Sequence, residues 1–108
     1  MTFPPGEADR LYEKFPGRVP VLIMRHRGAA PDVPRVPKSK FLVPRDLTLG
    51  QFIYIIRSQM KIASEKALFI FVNNVLPTTG TTMVEMYSQY KSPDGFLRLV
   101  YTSESTFG

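Results

Sequence analysis

From Thr48 onward, apolar residues recur at the spacings of regular structure, whereas residues 1–45 are interrupted every few positions by proline. Leu49, Phe52, Ile53, Ile56 and Met60 recur at helical spacing, which predicts an amphipathic helix running to about Lys61. Its start is marked twice. Thr48 and Gln51 form a Thr-x-x-Gln capping box that satisfies two orphan backbone donors, and Leu47 and Phe52 occupy the two positions of a hydrophobic staple. A second box, Thr82 with Glu85, opens a shorter helix with Met83, Met86, Tyr87 and Tyr90 on one stripe, ending before the turn Ser92-Pro93-Asp94-Gly95. Between the two helices, residues 67–72 are apolar on both faces and too few for a helix, which predicts a central strand covered on both sides. Residues 96–102 alternate, with Leu97, Leu99 and Tyr101 on one face and Arg98 on the other, as a half-buried strand does.

The first half is built of shorter pieces. After Pro4-Pro5-Gly6, Leu11 and Phe15 stand four apart in a predicted short helix over 7–15 that stops before Pro16-Gly17. Residues 19–25 read as a strand, 28–37 as a proline-rich loop, and 40–43 as a second strand closed by Pro44. Proline lacks the N–H that a ladder needs, so this second strand is expected at an edge of the sheet. The order α, β, β, α, β, α, β predicts an α+β, ubiquitin-like β-grasp: a four-stranded mixed sheet on a central helix, with a short N-terminal helical extension. A ferredoxin-like order would need a helix between the first two strands, and the proline-rich loop cannot supply one.

At 108 residues the chain allows one domain. The expected division is a tail over 1–6, the ubiquitin-like domain over 7–103, and a flexible tail over 104–108. The absence of cysteine excludes disulfides, thiolate metal sites and a thiol nucleophile, and fits a cytoplasmic location. Runs such as 67–72 are far shorter than the roughly 18–20 apolar residues needed to span a bilayer, so membrane attachment is expected to be acquired. The net charge is +5, and all of the excess lies in residues 1–45, with nine Lys or Arg against four Asp or Glu. Such a surface attracts nucleic acid, anionic lipid or acidic peptides alike, so a basic nucleic-acid-binding module stands as the alternative reading.

The runs KFLVPRDLTLGQFIYIIR over 40–57, EKALFIFVNN over 65–74, DGFL over 94–97 and the terminal TFG over 106–108 closely resemble the autophagy ubiquitin-like modifiers. This is the family of microtubule-associated light chain 3 and the GABA-receptor-associated proteins, and the resemblance spans about residues 7–108. It implies a non-enzymatic, monomeric modifier without a cofactor. Its terminal glycine, Gly108, would be joined to the amine of phosphatidylethanolamine on the autophagosome membrane by partner activating and conjugating enzymes. A processing cysteine protease would expose that glycine in relatives made with extra residues after it. The resemblance also implies recruitment of cargo receptors through short aromatic-x-x-aliphatic peptides.

By the same resemblance, Glu7, Leu11, Pro20, Leu22, Lys40, Leu42 and Phe96 surround an aromatic-accepting pocket. Phe41, Val43, Pro44, Leu47, Phe52 and Ile55 form an aliphatic-accepting one. Alternation along the strand agrees, because Lys40 and Leu42 share one face and Phe41 and Val43 the other, so the two faces cannot both point inward. The competing reading, a plain core role, weighs nearly as much for Phe52 and Ile55. Arg18, Lys38, Lys40 and Arg57 are candidate guides for acidic residues flanking the peptide, against an ordinary solvated surface. Gln59 stands where many relatives are basic, which weakens that contact. By the same resemblance, relatives carry two helices before the first strand, whereas only about six residues precede the helix predicted from Glu7, so the first of the two is expected to be missing here, with the functions tied to it.

Other chemistry is thin. His26, the single histidine, lies between Arg25 and Arg27 with no second histidine or thiol, and supports neither a metal site nor a triad. Phe69 and Phe71 resemble the stacked aromatics of RNA-binding sheets, but Leu68, Ile70 and Val72 make a core role the better reading.

Overall fold

The computed structural model describes residues 6–104. Of the two expected tails, over 1–6 and 104–108, residues 1–5 and 105–108, Gly108 among them, lie outside the described residues. Seven elements follow in the predicted order: α1 Glu7–Lys14, β1 Arg18–Arg25, β2 Lys40–Pro44, α2 Leu49–Ser58, β3 Phe69–Phe71, α3 Met83–Tyr90 and β4 Leu97–Thr102. They build one mixed sheet in the order β2-β1-β4-β3. β1 runs antiparallel to β2 and parallel to β4, and β3 pairs antiparallel with β4.

Both capping boxes are made. The Thr48 hydroxyl accepts from the Gln51 N–H, while the Gln51 side chain accepts from the Thr48 N–H at 2.9 Å. Thr82 and Glu85 exchange the same pair of bonds. The helix α2 stops at Ser58, three residues short of the expected end, yet Met60 in the turn that follows is still buried. Leu49, Phe52 and Ile56 press α2 onto the inner face of the sheet, against Val21, Ile23, Leu97, Leu99 and Tyr101. The smaller helix α1 serves the opposite face, where Ala8 packs with Leu22 and Phe96 in a second cluster edged by Leu11.

One strand sits differently from expectation. The apolar run at 67–72 predicted a central strand, but β3 is three residues long and lies at the edge, with β4 its one neighbour. Burial on both faces does not require two strand neighbours. Ile70 faces the main core, while Phe71 is in register with Val100 on the opposite face, and a short hairpin at Asn73 and Asn74 folds back so that Val72 and Val75 bridge. Both asparagines take positive φ, 48° and 63°, the left-handed conformation that such a hairpin demands and that asparagine tolerates better than most residues. The expected edge position of β2 is found.

Candidate functional site

The β2 burial pattern alternates: Phe41 and Val43 are buried, Lys40 and Leu42 half-exposed, and Pro44 exposed. Because β1 occupies one side of β2, the other side carries backbone groups that no further strand of the described sheet uses. An edge of this kind is a template for an added strand. Against it, Leu11 from α1 and Lys38, Lys40, Phe41 and Leu42 from the β2 segment line a cleft of about 240 Å³. Members of all three groups expected from the sequence thus meet in one place.

Helix α1 reaches this cleft because it is pinned at several points. Gly95 takes φ +88°, and an added Cβ there would lie 3.0 Å from the Ala8 Cβ, so the turn before β4 and α1 touch backbone to side chain. The Tyr12 ring stacks on Tyr87 of α3 at 5.4 Å and 8°, and Arg45 donates to the Tyr12 hydroxyl at 2.6 Å. Burial pushes the Tyr87 phenol up, with Tyr12 and Asp9 adding to the shift. Glu7 then meets Lys40 across the mouth of the cleft, Oε1 to Nζ 2.9 Å. The second carboxylate oxygen, Oε2, is buried and has no hydrogen-bond partner among the described residues. Sequence periodicity did not single out Ala8, Tyr12 or Arg45, since their contacts lie across the fold from one another and leave no local signal.

The remaining expected residues divide by depth. Leu22 and Phe96 are buried against Ala8 and Leu11 of α1, and Pro20 is buried as well. Phe52 has no exposed surface and meets Phe41 edge-on at 5.7 Å, and Phe41 and Val43 are only 9% and 5% exposed. All three belong to the main core. Pro44, Leu47 and Ile55 keep surface in contact with solvent.

Every candidate guiding cation has an internal engagement. Arg18 donates to the Leu42 carbonyl at 3.2 Å, and Lys38 lies 5.1 Å over the Phe41 ring. Arg57 donates to the carbonyls of Ala63 and Ser64, both at 3.1 Å. Two carboxylates elsewhere are also perturbed. A hydrogen bond from Lys66 holds Asp32 below the usual carboxylate range, and Asp94 is held low by the Phe96 N–H and Arg98 despite an opposing effect of burial. Among the described residues no group of three His, Asp or Glu could hold a metal, and no helix is long and apolar enough to cross a membrane.

A β-grasp sheet carrying an N-terminal helix on its outer face, with an open edge strand beside it, defines a ubiquitin-like protein. The family model described as "Autophagy protein Atg8 ubiquitin like" matches residues 5–108. Autophagy-related protein 8e of Arabidopsis thaliana is 50% identical over 103 residues, covering 95% of this chain and 83% of that protein. Autophagy-related protein 8 of Kluyveromyces lactis is likewise 50% identical, over 95% of this chain and 82% of its own length. The crystal structure of Trypanosoma brucei ATG8 superposes with a TM-score of 0.84 at 36% identity, covering 95% of this chain and 87% of that one. The chain belongs to the Atg8 family of ubiquitin-like autophagy proteins.

Proposed function

We propose that this chain is a modifier conjugated through Gly108 to phosphatidylethanolamine, and that it recruits cargo receptors by pairing β2 with aromatic-x-x-aliphatic peptides. Conjugation needs activation as an acyl adenylate and then as a thioester on partner enzymes, because a free carboxylate is a poor electrophile. A terminal glycine offers no Cβ to obstruct that attack. The soluble pool is cytoplasmic, and the conjugated pool resides on the autophagosome membrane.

The observation that carries the peptide reading is the coincidence of a strand edge on which no further strand pairs among the described residues with the cleft of about 240 Å³ between β2 and α1. A peptide added as a strand gains main-chain hydrogen bonds, while its alternate side chains supply selectivity. Leu11 and Leu42 would receive the aromatic residue above buried Leu22 and Phe96. Pro44, Leu47 and Ile55 would receive the aliphatic one.

The test is calorimetric titration of an aromatic-x-x-aliphatic peptide into wild type and Leu42→Asp, with circular dichroism confirming that the variant is folded. Loss of binding in a folded variant supports the pocket, and unchanged affinity refutes it. For conjugation, purified activating and conjugating enzymes with ATP and phosphatidylethanolamine vesicles should yield a membrane-bound adduct from the full chain. A chain lacking Gly108 should give none.

A further inference from the structure

On β1, two residues past Leu22, where α1 packs, Met24 stands in register with Val100 of β4. Met24 is 36% exposed, a large apolar side chain left at the surface. Together with Arg25, His26, Arg27 and Val100 it lines a cleft of about 420 Å³. A second cleft of about 270 Å³ shares Met24 and Arg25 and adds Arg35. Neither is lined by a carboxylate among the described residues.

Arg25 is the informative group. It is half-buried, and its Nε donates to the Val33 carbonyl at 2.8 Å while Nη2 donates to Ala30 at 2.8 Å and Ala29 at 3.3 Å. These bonds fix the guanidinium but leave its charge uncompensated, since carbonyls are neutral. The ion pairs among the described residues are Lys40 with Glu7, Lys66 with Asp32, and Arg98 with Asp94, and none involves Arg25, Arg27 or Arg35. Asp32, the single acid in residues 26–39, is committed to Lys66 at 2.6 Å. A partly desolvated cation with no counter-charge among the described residues is unfavourable, and neighbouring cations raise the local potential further. A planar guanidinium with free donors is suited to phosphate.

We infer that these two adjoining clefts, which share Met24 and Arg25, bind the phosphate of an anionic phospholipid headgroup, with Met24 and Val100 meeting the less polar part of the same lipid. The lipid source follows from topology. Parallel pairing puts the C-terminal ends of β1 and β4 at one end of the sheet, and the His26 N–H donates to the Tyr101 carbonyl at 2.8 Å. β4 ends at Thr102, six residues before Gly108. Six residues reach at most roughly 20 Å when extended. A chain attached to a headgroup through Gly108 therefore keeps these clefts near the bilayer surface. The phosphate chemistry stands on the clefts, and the choice of a lipid rests on the conjugation reading.

Flotation of the unconjugated full chain with phosphatidylcholine vesicles, with and without phosphatidic acid, tests the inference. The double variant Arg27→Gln/Arg35→Gln changes exposed side chains that make no ion pair among the described residues. It should bind phosphatidic acid vesicles about 30-fold more weakly, at about 1 kcal/mol per cation near an anionic surface. The charge-matched control Lys61→Gln/Lys91→Gln should lose much less, and both should bind the aromatic-x-x-aliphatic peptide like wild type. Equal losses in the two double variants would reduce the effect to net charge and overturn the site. In a parallel arm, glycerol 3-phosphate is titrated by NMR. Saturable shifts confined to residues 24–27, 35 and 100 together with vesicle binding support the headgroup, whereas those shifts without vesicle binding overturn the lipid assignment. Because the protein is unconjugated throughout, a failure of Gly108 conjugation leaves these readings unaffected.

Discussion

Replacing Phe52 by alanine separates a packing role from a binding role within the residues expected to form the aliphatic pocket. The side chain has no exposed surface, projects from α2 into the main core, and meets Phe41 edge-to-face at 5.7 Å. Truncating a buried phenylalanine costs about 3–5 kcal/mol through lost transfer energy and the cavity left behind. The aromatic pair with Phe41 accounts for about 0.5–1.5 kcal/mol of interaction beyond area burial. Against a total stability of about 5–15 kcal/mol for a domain, that loss is a large fraction. At roughly 4–8 °C per kcal/mol for a domain near this size, the lower figure of about 3 kcal/mol lowers Tm by roughly 12–24 °C. Ile55, half-exposed on the same helix, should cost about 1 kcal/mol or less when truncated. Urea unfolding followed by circular dichroism measures both variants, and peptide titration below each midpoint measures binding by the folded fraction. Phe52→Ala should lose stability first, and Ile55→Ala should lose peptide affinity with little change in stability. A Phe52→Ala protein that keeps nearly all of its stability but no longer binds peptide would refute the assignment of Phe52 to the core.

Further outcomes can be checked separately. Thr48→Ala removes one half of a made capping box and should lower stability by about 1 kcal/mol in denaturant melts. Gly95→Ala should destabilise by more than about 1 kcal/mol, because its φ of +88° and the 3.0 Å approach to Ala8 both oppose a side chain. It should also weaken peptide binding, since α1 carries Glu7 and Leu11 to the cleft, and unchanged affinity would show that the contact does not position the helix. Bonds from the Thr82 hydroxyl and backbone N–H hold the Glu85 carboxyl below the ordinary range, and Asp32 and Asp94 are lowered as well. A lowered carboxyl pKa contributes stability that is complete above the unfolded value near 4 and is lost as pH falls through the folded value. The unfolding midpoint should therefore drop below about pH 4–5, and Thr82→Ala should flatten that drop in a pH series. Asn74→Gly should raise stability by a few tenths to about 1 kcal/mol, since its φ of 63° suits glycine better than asparagine.

Local signals in the chain were sufficient for the elements and much of their order in space. The capping boxes at Thr48 and Thr82, the helical stripe from Leu49, and the alternation of Leu97, Leu99 and Tyr101 are determined within a few residues, where backbone bonding and side-chain periodicity act directly. Pro44 marked β2 as an edge because a missing N–H is a property of the residue itself. The candidate cleft was legible as residues and not as a shape. Which face of β2 would be buried depended on where α2 and α1 pack, and tertiary contact decided that Phe41, Val43 and Phe52 fill the core while Lys40 and Leu42 stay at the rim. The misplacement of β3 has the same origin. A run of apolar residues records that both faces of a strand are covered, and it carries no information on whether a second strand or a packed side chain does the covering. Likewise, that Arg25 has no counter-charge among the described residues emerges only when the chain folds, because the loop sets in place the carbonyls that fix it and commits Asp32 to Lys66.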